Sequence, residues 1–339
     1  MEKSRILTTA LSRRRIIKAA GALAAGVAAP TVLRVRSAYA AFPDRPVKIV
    51  VANSPGGPSD LVGRILAAAL QESTGKTFIV ENRGGAGGNI GMGYAAQSEP
   101  DGYTILLATD AYSVNPSLYK VLPYDPLKSF VGVGTIAISP LTLTVKADTP
   151  VKTVKEFVAL ARAHPDKYNV ATPPLGTTSW LLAQTLKLRE NLPKLECIVY
   201  KGGGDALAAL LGGTVQLSSG SLPPAYPHIK AGTLRCLAVT GDSRWPELPN
   251  VPTMTEAGYP GIEFANDTAL FAPAKTPPEV VKWLEKETVK VLSAKTTTDK
   301  LYTAGFKAQP LGAAAAWEHY TKNIAMFKEI IDKAGLKKH

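Results

Sequence analysis

The sequence predicts an α/β fold of two lobes, and two observations carry that expectation. Short apolar strands alternate with amphipathic helices in two successive runs, an order that favours parallel sheets linked by helical crossovers. A strand-rich stretch, residues 131–147, joins the runs and is interrupted by Pro140. Composition agrees: 45% of the 339 residues are apolar and 19% charged, enough to bury a core and too apolar for a disordered chain. Two cysteines rule out a disulfide-rich scaffold, and four histidines leave little for a metal site.

In order along the chain, residues 47–52 read as a buried strand, 53–58 as a glycine-proline loop and 59–74 as a helix. In that helix Leu61, Val62, Ile65, Leu66, Ala69 and Leu70 recur at helical spacing on one face, and Gly75 supplies a stop. A strand (77–81), a glycine loop (84–88), a helix (89–97) and a strand (104–109) complete the first run. The second opens with the capping box Thr153-Val154-Lys155-Glu156, whose helix His164-Pro165 closes. A strand (168–172), a polar loop (176–179) and a helix (180–189) follow. Strands at 196–200, 215–218 and 234–240 then alternate with helices near 205–211 and 224–231. Residues 241–261 are proline-rich and aperiodic, which predicts a long surface connection. Thr276-Pro277-Pro278-Glu279 caps a helical tail whose last helix covers 314–333. This reading gives 41–143 and 267–339 to one lobe and 144–266 to the other, with the C-terminal helices packing back on the first. A single large α/β domain is the alternative.

The formal charge of +12 is concentrated at the start. Residues 1–40 hold Lys3, Arg5, Arg13, Arg14, Arg15, Lys18, Arg34 and Arg36 against Glu2 alone, which leaves +5 for the remainder. A basic start, an apolar stretch from Ala19 to Leu33 and the small-x-small Ala38-Tyr39-Ala40 read as an export signal cleaved after Ala40. The stretch is shorter than the roughly 20 residues a membrane-spanning helix needs. Ser12-Arg13-Arg14-Arg15-Ile16-Ile17-Lys18 resembles a twin-arginine signal, with Ile16 where Phe is usual. An uncleaved anchor is the competing reading. The rest of the chain has no run of like charges and no aromatics interleaved with Arg, so nucleic acid is not an expected partner. Export would place Cys197 and Cys236 in an oxidising space. Each lies in a strand-like run, and two buried free thiols are expected over a disulfide.

Three loops suit close backbone approach by an anion. Pro55-Gly56-Gly57-Pro58-Ser59-Asp60 leads into a helix whose first amides have no internal partner. Gly84-Gly85-Ala86-Gly87-Gly88-Asn89 repeats the device, and Gly176-Thr177-Thr178-Ser179 repeats it in the second run with three hydroxyls. Ordinary α/β turns would account for any one of them, but three at the same edge of parallel sheets point to a ligand. Gly91-Met92-Gly93-Tyr94-Ala95-Ala96 matches a dinucleotide fingerprint, yet Gly91 falls inside the helix rather than at a strand end, so no nicotinamide cofactor is expected. No Gly-x-Ser-x-Gly elbow occurs, and His164, His228, His319 and His339 are scattered without a partner at metal-ligand spacing. Asp60, Asp110 and Asp267 are the acids the fold could gather for acid–base work; an exported hydrolase or lyase is the enzyme alternative to a binding protein. With no nucleophile–base pair in the sequence, binding is favoured.

The segments Phe42-Pro43-Asp44-Arg45-Pro46-Val47, Pro55–Asp60, Val80-Glu81-Asn82-Arg83-Gly84-Gly85-Ala86-Gly87-Gly88-Asn89-Ile90-Gly91, Pro100-Asp101-Gly102-Tyr103-Thr104 and Asn115-Pro116-Ser117-Leu118-Tyr119 stand in collinear order. So do Leu122-Pro123-Tyr124-Asp125-Pro126, Tyr200-Lys201-Gly202-Gly203, Pro227-His228-Ile229-Lys230-Ala231-Gly232, Leu237-Ala238-Val239-Thr240-Gly241 and Val251-Pro252-Thr253. Together they resemble the extracytoplasmic solute receptors of tripartite tricarboxylate transporters, often called Bug proteins. The resemblance implies a periplasmic binding protein fold of type II-like form, closing as a monomer over a small carboxylate without cofactor or metal. It would present the ligand to membrane transporter subunits or a two-component sensor. It also implies site residues: Asn53, Ser54, Gly56, Gly57, Ser59 and Asp60 in the first loop, and Gly176, Thr177, Thr178 and Ser179 in the second lobe. Thr109, Asp110, Ala111, Gly220, Ser221, Asn266 and Asp267 would complete the cleft. Asn53-Ser54 stands where the family usually has an aromatic and a proline, Trp180 follows Ser179 where a His is frequent, and Gly220-Ser221 stands where Asp-Asn is frequent. The expected cleft is therefore richer in hydroxyls and less acidic than the family pattern.

Overall fold

β1 (Val47–Val51) is β-branched at every position but Lys48 and almost wholly buried. It leads through the Asn53–Gly57 turn into α1 (Pro58–Thr74), which opens on a proline where the missing amide costs nothing. The helix ends at Gly75, whose φ of 66° is the left-handed stop that glycine takes without strain and whose amide donates to Gln71 O at 2.9 Å. Its buried stripe runs through Val62, Gly63, Leu66 and Leu70, each large side chain contributing about 1.5–3 kcal/mol on burial. Leu61, expected on that stripe, is 43% exposed, because the stripe is centred one position further on.

The computed structural model describes residues 42–333, 335, 336 and 338; the proposed export segment and its cleavage site lie outside the described residues. After α1 come β2 (Phe78–Asn82), a 3₁₀ turn (Ala86–Gly88), α2 (Asn89–Ala96), β3 (Thr104–Thr109), α3 (Ala111–Leu118) and β4 (Phe130–Ser139). At Pro140 the chain passes to a second sheet. There it forms β5 (Leu141–Lys146), α4 (Val154–Ala163), β6 (Asn169–Thr172), α5 (Thr178–Arg189), β7 (Glu196–Val199), α6 (Gly203–Leu211), β8 (Leu217–Ser221), α7 (Leu222–Lys230) and β9 (Leu234–Val239). It returns as β10 (Asn266–Pro273), then α8 (Pro278–Leu292), α9 (Lys295–Thr303), β11 (Lys307–Ala308) and α10 (Ala313–Lys333).

Two sheets result, one per lobe: six strands in the order β11-β4-β10-β3-β1-β2 and five in the order β7-β6-β8-β5-β9. β1 is parallel to β2 and β3, and β6 to β7 and β8. The sheets are mixed rather than uniformly parallel: β10 runs antiparallel to β3 and β4, and β5 antiparallel to β8 and β9. The crossing strands leave and re-enter the sheets in opposite senses, which imposes the reversal.

Two further expectations are corrected. Residues 241–261 are not a free surface connection: Trp245, Met254 and Tyr259 are buried, and Trp245 stacks on Tyr302 of α9 with centroids 5.4 Å apart. The last helix does not rest on the first lobe alone. Tyr320 belongs to a first-lobe core, whereas Phe327 and Ile331 join the second-lobe core beside Leu181, Phe264 and the Val114 and Leu118 of α3. Its 21 residues span about 30 Å, long enough to bridge both lobes. Cys197 and Cys236 are free. They sit on β7 and β9, opposite edges of one sheet, four strand spacings or about 19 Å apart and far beyond disulfide reach.

Candidate functional site

The loops that follow β1, β3, β6 and β7, with the ends of β8 and β10, converge on a cleft between the sheets, at the carboxyl edge where α/β folds take ligands. A cavity of about 300 Å³ is lined there by Asn53–Ser59, Thr109, Pro173, Pro174, Thr177, Ser179, Lys201–Asp205, Ser221 and Asn266. A second cavity of about 470 Å³ shares Asn53, Ser54, Pro174, Thr177 and Lys201 and extends along Gly84–Gly88. Of the residues expected from sequence, Asn53, Ser54, Gly56, Gly57, Ser59, Thr109, Thr177, Ser179, Ser221 and Asn266 line the first cavity. Asp60, Asp110, Ala111, Gly176, Thr178, Gly220 and Asp267 line neither cavity.

The aspartates stand back for a physical reason: each is already bonded inside the protein. Asp60 is 5% exposed, and its Oδ2 accepts from the Gly56 amide at 2.9 Å and from Arg64 Nε at 3.0 Å. Burial pushes its carboxyl up, but the Arg64 guanidinium and the Gly56 amide outweigh this and hold it below its ordinary value. The carboxylate thereby locks the turn at Gly56, whose φ of +76° suits glycine. The Gly56 amide is thus consumed and Pro58 has none, so Gly57 and Ser59 remain as the amide donors of this turn. The capping position, Gly57, carries no side-chain cap.

Asp110 plays the same part across the lobes. It is 1% exposed at the start of α3, and Oδ2 accepts from the Thr178 backbone amide at 2.5 Å, in the first turn of α5. Oδ1 accepts from Asn266 Nδ2 at 2.7 Å. Burial, then the charge of Asp267, push its carboxyl up to about 7 against the bonds from Thr178 and Asn266. Thr178 Oγ1 donates to Ala265 O at 3.4 Å, so neither Thr178 group faces the cleft. Thr177, the α5 cap, donates to Pro174 O at 2.8 Å and accepts from Trp180 N at 3.2 Å. Gly176 (φ +89°) lies against Asn115, whose Oδ1 is 2.1 Å from where a Cβ would stand.

Asp267 turns to the C-terminal helix. Its Oδ1 accepts from Tyr320 OH at 3.1 Å and its Oδ2 bonds His319 Nε2. That hydrogen bond raises the His319 pKa over the opposing effect of burial. The fold therefore gives His319 an acidic partner that sequence spacing did not reveal. Asp110 and Asp267 come close, with the Asp110 amide donating to Asp267 O at 3.2 Å, but both carboxylates serve buried bonds rather than the cleft. Among the described residues no group of three His, Cys, Asp or Glu is placed to hold a metal, and no helix is long and apolar enough to cross a membrane. Gly91 lies inside α2, where a Cβ would come within 2.6 Å of Arg83 O and 2.9 Å of Ala52 Cα. The dinucleotide-like glycine thus serves helix–strand packing.

Sequence reasoning missed Pro173, Pro174 and the Lys201–Asp205 turn as cleft residues. The signal was present: Lys201-Gly202-Gly203-Gly204 is a glycine run between a strand and a helix, as at the other loops.

A family model described as tripartite tricarboxylate transporter family receptor matches residues 62–336. The chain is 34% identical to Protein BugT of Bordetella pertussis over 283 residues, 83% of this chain and 85% of that protein. Among solved structures, the periplasmic binding protein BugD superposes with a TM-score of 0.83 at 34% identity, covering 88% of this chain and 100% of that one. A structure of R. palustris Rpa4515 with adipate gives 0.84 at 33% identity, with the same coverage of both chains.

Proposed function

The chain belongs to the tripartite tricarboxylate transporter receptor family, and from that premise we propose that it is a periplasmic receptor capturing a small carboxylate in the interlobe cleft. One carboxylate of the ligand sits on the Gly57 and Ser59 amides at the positive end of α1. Thr109, Ser179, Ser221 and Asn266 offer neutral polar groups around it. The observation that carries this reading is the α1 terminus: it opens into the cavity without a side-chain cap, while neighbouring donors are bonded to the protein's own acids. The relative solved with adipate supports a carboxylate as the class of ligand. Lobe closure about the Pro140 and Asn266 crossings commits the ligand and creates the form that a membrane transporter or a sensor recognises. We further propose export through the twin-arginine segment, cleavage after Ala40, action as a monomer and no catalytic turnover.

Gly57→Leu tests the placement. The Gly57 φ of −84° is open to any residue, and a Cβ there meets only Ser54 O at 3.4 Å, an ordinary contact. The variant should melt within a few degrees of the parent while its affinity for carboxylates falls at least about 100-fold by calorimetry. Retained affinity in a folded Gly57→Leu protein would remove the carboxylate from α1.

A further inference from the structure

Lys201 follows β7 and lines both cavities of the cleft. Among the described residues lining them it is the sole Lys, Arg or His. Arg64, on the helix that opens into the cleft, is neutralised within the protein by Asp60 at 3.0 Å. Lys201 takes part in none of the ion pairs or side-chain hydrogen bonds among the described residues. The acid nearest in sequence, Asp205, belongs to the first turn of α6 and lies over its cap, with Oδ2 4.0 Å from where a Gly202 Cβ would stand. It answers the positive end of that helix and leaves the ammonium without a fixed counter-charge.

At its α5 end the second-lobe wall is already engaged, whereas α6, opening on Gly202–Gly204 beside Lys201 without a side-chain cap, adds its amides to the ammonium. The Thr178 amide already holds the Asp110 carboxylate, and the Thr177 hydroxyl is committed at both its donor and its acceptor. Ser179 and Ser221 are neutral. Resting on the carboxylate-receptor reading above, we propose that Lys201 is the second-lobe counter-charge of the cleft and selects dicarboxylates over monocarboxylates of equal length. With one carboxylate on α1 and the other on the ammonium, the ligand bridges the lobes and draws them together. A cation paired with a carboxylate in a partly desolvated cleft makes the stronger, charge-assisted class of hydrogen bond.

The test measures calorimetric affinities of the folded receptor for α,ω-dicarboxylates of about four to eight carbons and for the corresponding monoamides. Parent, Lys201→Gln and Lys201→Arg proteins are compared at low and high salt. In the parent, the best diacid should bind about 10- to 100-fold more tightly than its monoamide. Lys201→Gln should reduce that ratio to about 1–2 by weakening the diacid, while Lys201→Arg retains most of it. Because Lys201 is exposed, melting temperatures should not move. Equal parent affinity for diacid and monoamide, or an unchanged ratio in Lys201→Gln, overturns the proposal. A panel in which only monocarboxylates bind overturns Lys201 and leaves the carboxylate reading standing; a folded protein that binds no carboxylate defeats both.

Discussion

Asp110→Asn gives a prediction whose sign is set by burial. Asp110 is walled by the Thr178 amide, Asn266, Asp267 and, through Asp267, Tyr320 and His319. Its carboxyl is pushed up to about 7 from an ordinary 3.8, so between those values the folded chain holds a proton that the unfolded chain has released. Stability from this group is therefore present below about pH 4 and is lost as pH rises towards 7, at up to about 1.4 kcal/mol per pH unit. Asparagine keeps the shape and removes the titration. Its single oxygen satisfies one of the two donors at 2.5 and 2.7 Å, and its amide group faces the other, a fixed cost of about 1–3 kcal/mol.

The two effects separate by pH. The variant should compare worst with the parent at pH 5, where the difference is the fixed cost less what the parent has already lost above about pH 4. By pH 8 the parent should have lost about 3 kcal/mol that the variant never had, so the gap closes or reverses. Urea unfolding at pH 5, 6, 7 and 8 in constant salt, followed by fluorescence of the buried Trp180 and Trp245, measures the difference directly. His319, whose pKa is also raised, loses its contribution as pH rises in both proteins and largely cancels in the comparison. A gap that stays constant within about 0.5 kcal/mol, or widens with pH, would show that Asp110 does not hold its proton in the fold.

Two other outcomes follow from the packing. Arg235 donates from Nη1 to Thr149 O at 2.9 Å and Val151 O at 2.8 Å, and from Nη2 to Ala147 O at 2.7 Å, so Arg235→Met should cost about 2–4 kcal/mol in urea unfolding; a loss under 0.5 kcal/mol would contradict it. Mass spectrometry should find Cys197 and Cys236 as free thiols that alkylate slowly at pH 8 until the protein unfolds. Burial pushes their pKa values up to about 11 and about 12, and a Cys197–Cys236 disulfide would contradict the strand order.

Elements with a strong period or an explicit cap were legible in sequence. α1 and α4 are examples, and Thr153 Oγ1 does accept from the Glu156 amide at 3.1 Å. α3 was not, because Ala111-Tyr112-Ser113-Val114-Asn115 is buried on every side. Such a helix has no polar face to alternate with an apolar one, and Pro116 inside it argues against a helix altogether. β10 was hidden for a related reason: its wholly buried centre carries no two-residue alternation. The bridging role of α10 depends on where Phe327 and Ile331 land, about 21 and 27 Å from its start, which no local pattern encodes.

The cleft itself was legible as a set of loops but not as a set of charges. An acid beside a glycine or hydroxyl loop has two outcomes with the same sequence signature: it reaches into the cleft, or it folds back to satisfy the loop's own donors. Asp60 and Asp110 take the second course, and the consequences differ. Asp60 consumes the Gly56 amide yet leaves Gly57 and Ser59, so the first-lobe anion site survives in narrowed form. Asp110 occupies the opening amide of α5 from the opposite lobe, and there the α5 anion site is lost to a protein carboxylate. Of the second-lobe helix termini at the cleft, α5 is closed by Thr177 and Asp110, while α6 opens uncapped at Gly202 beside Lys201. Filling the α5 terminus internally leaves the lobes unequal: the α1 amides on one side and, on the other, hydroxyls, the opening amides of α6 and the ammonium of Lys201. That asymmetry gives the ligand a direction, and it arises from two aspartates that never touch the ligand.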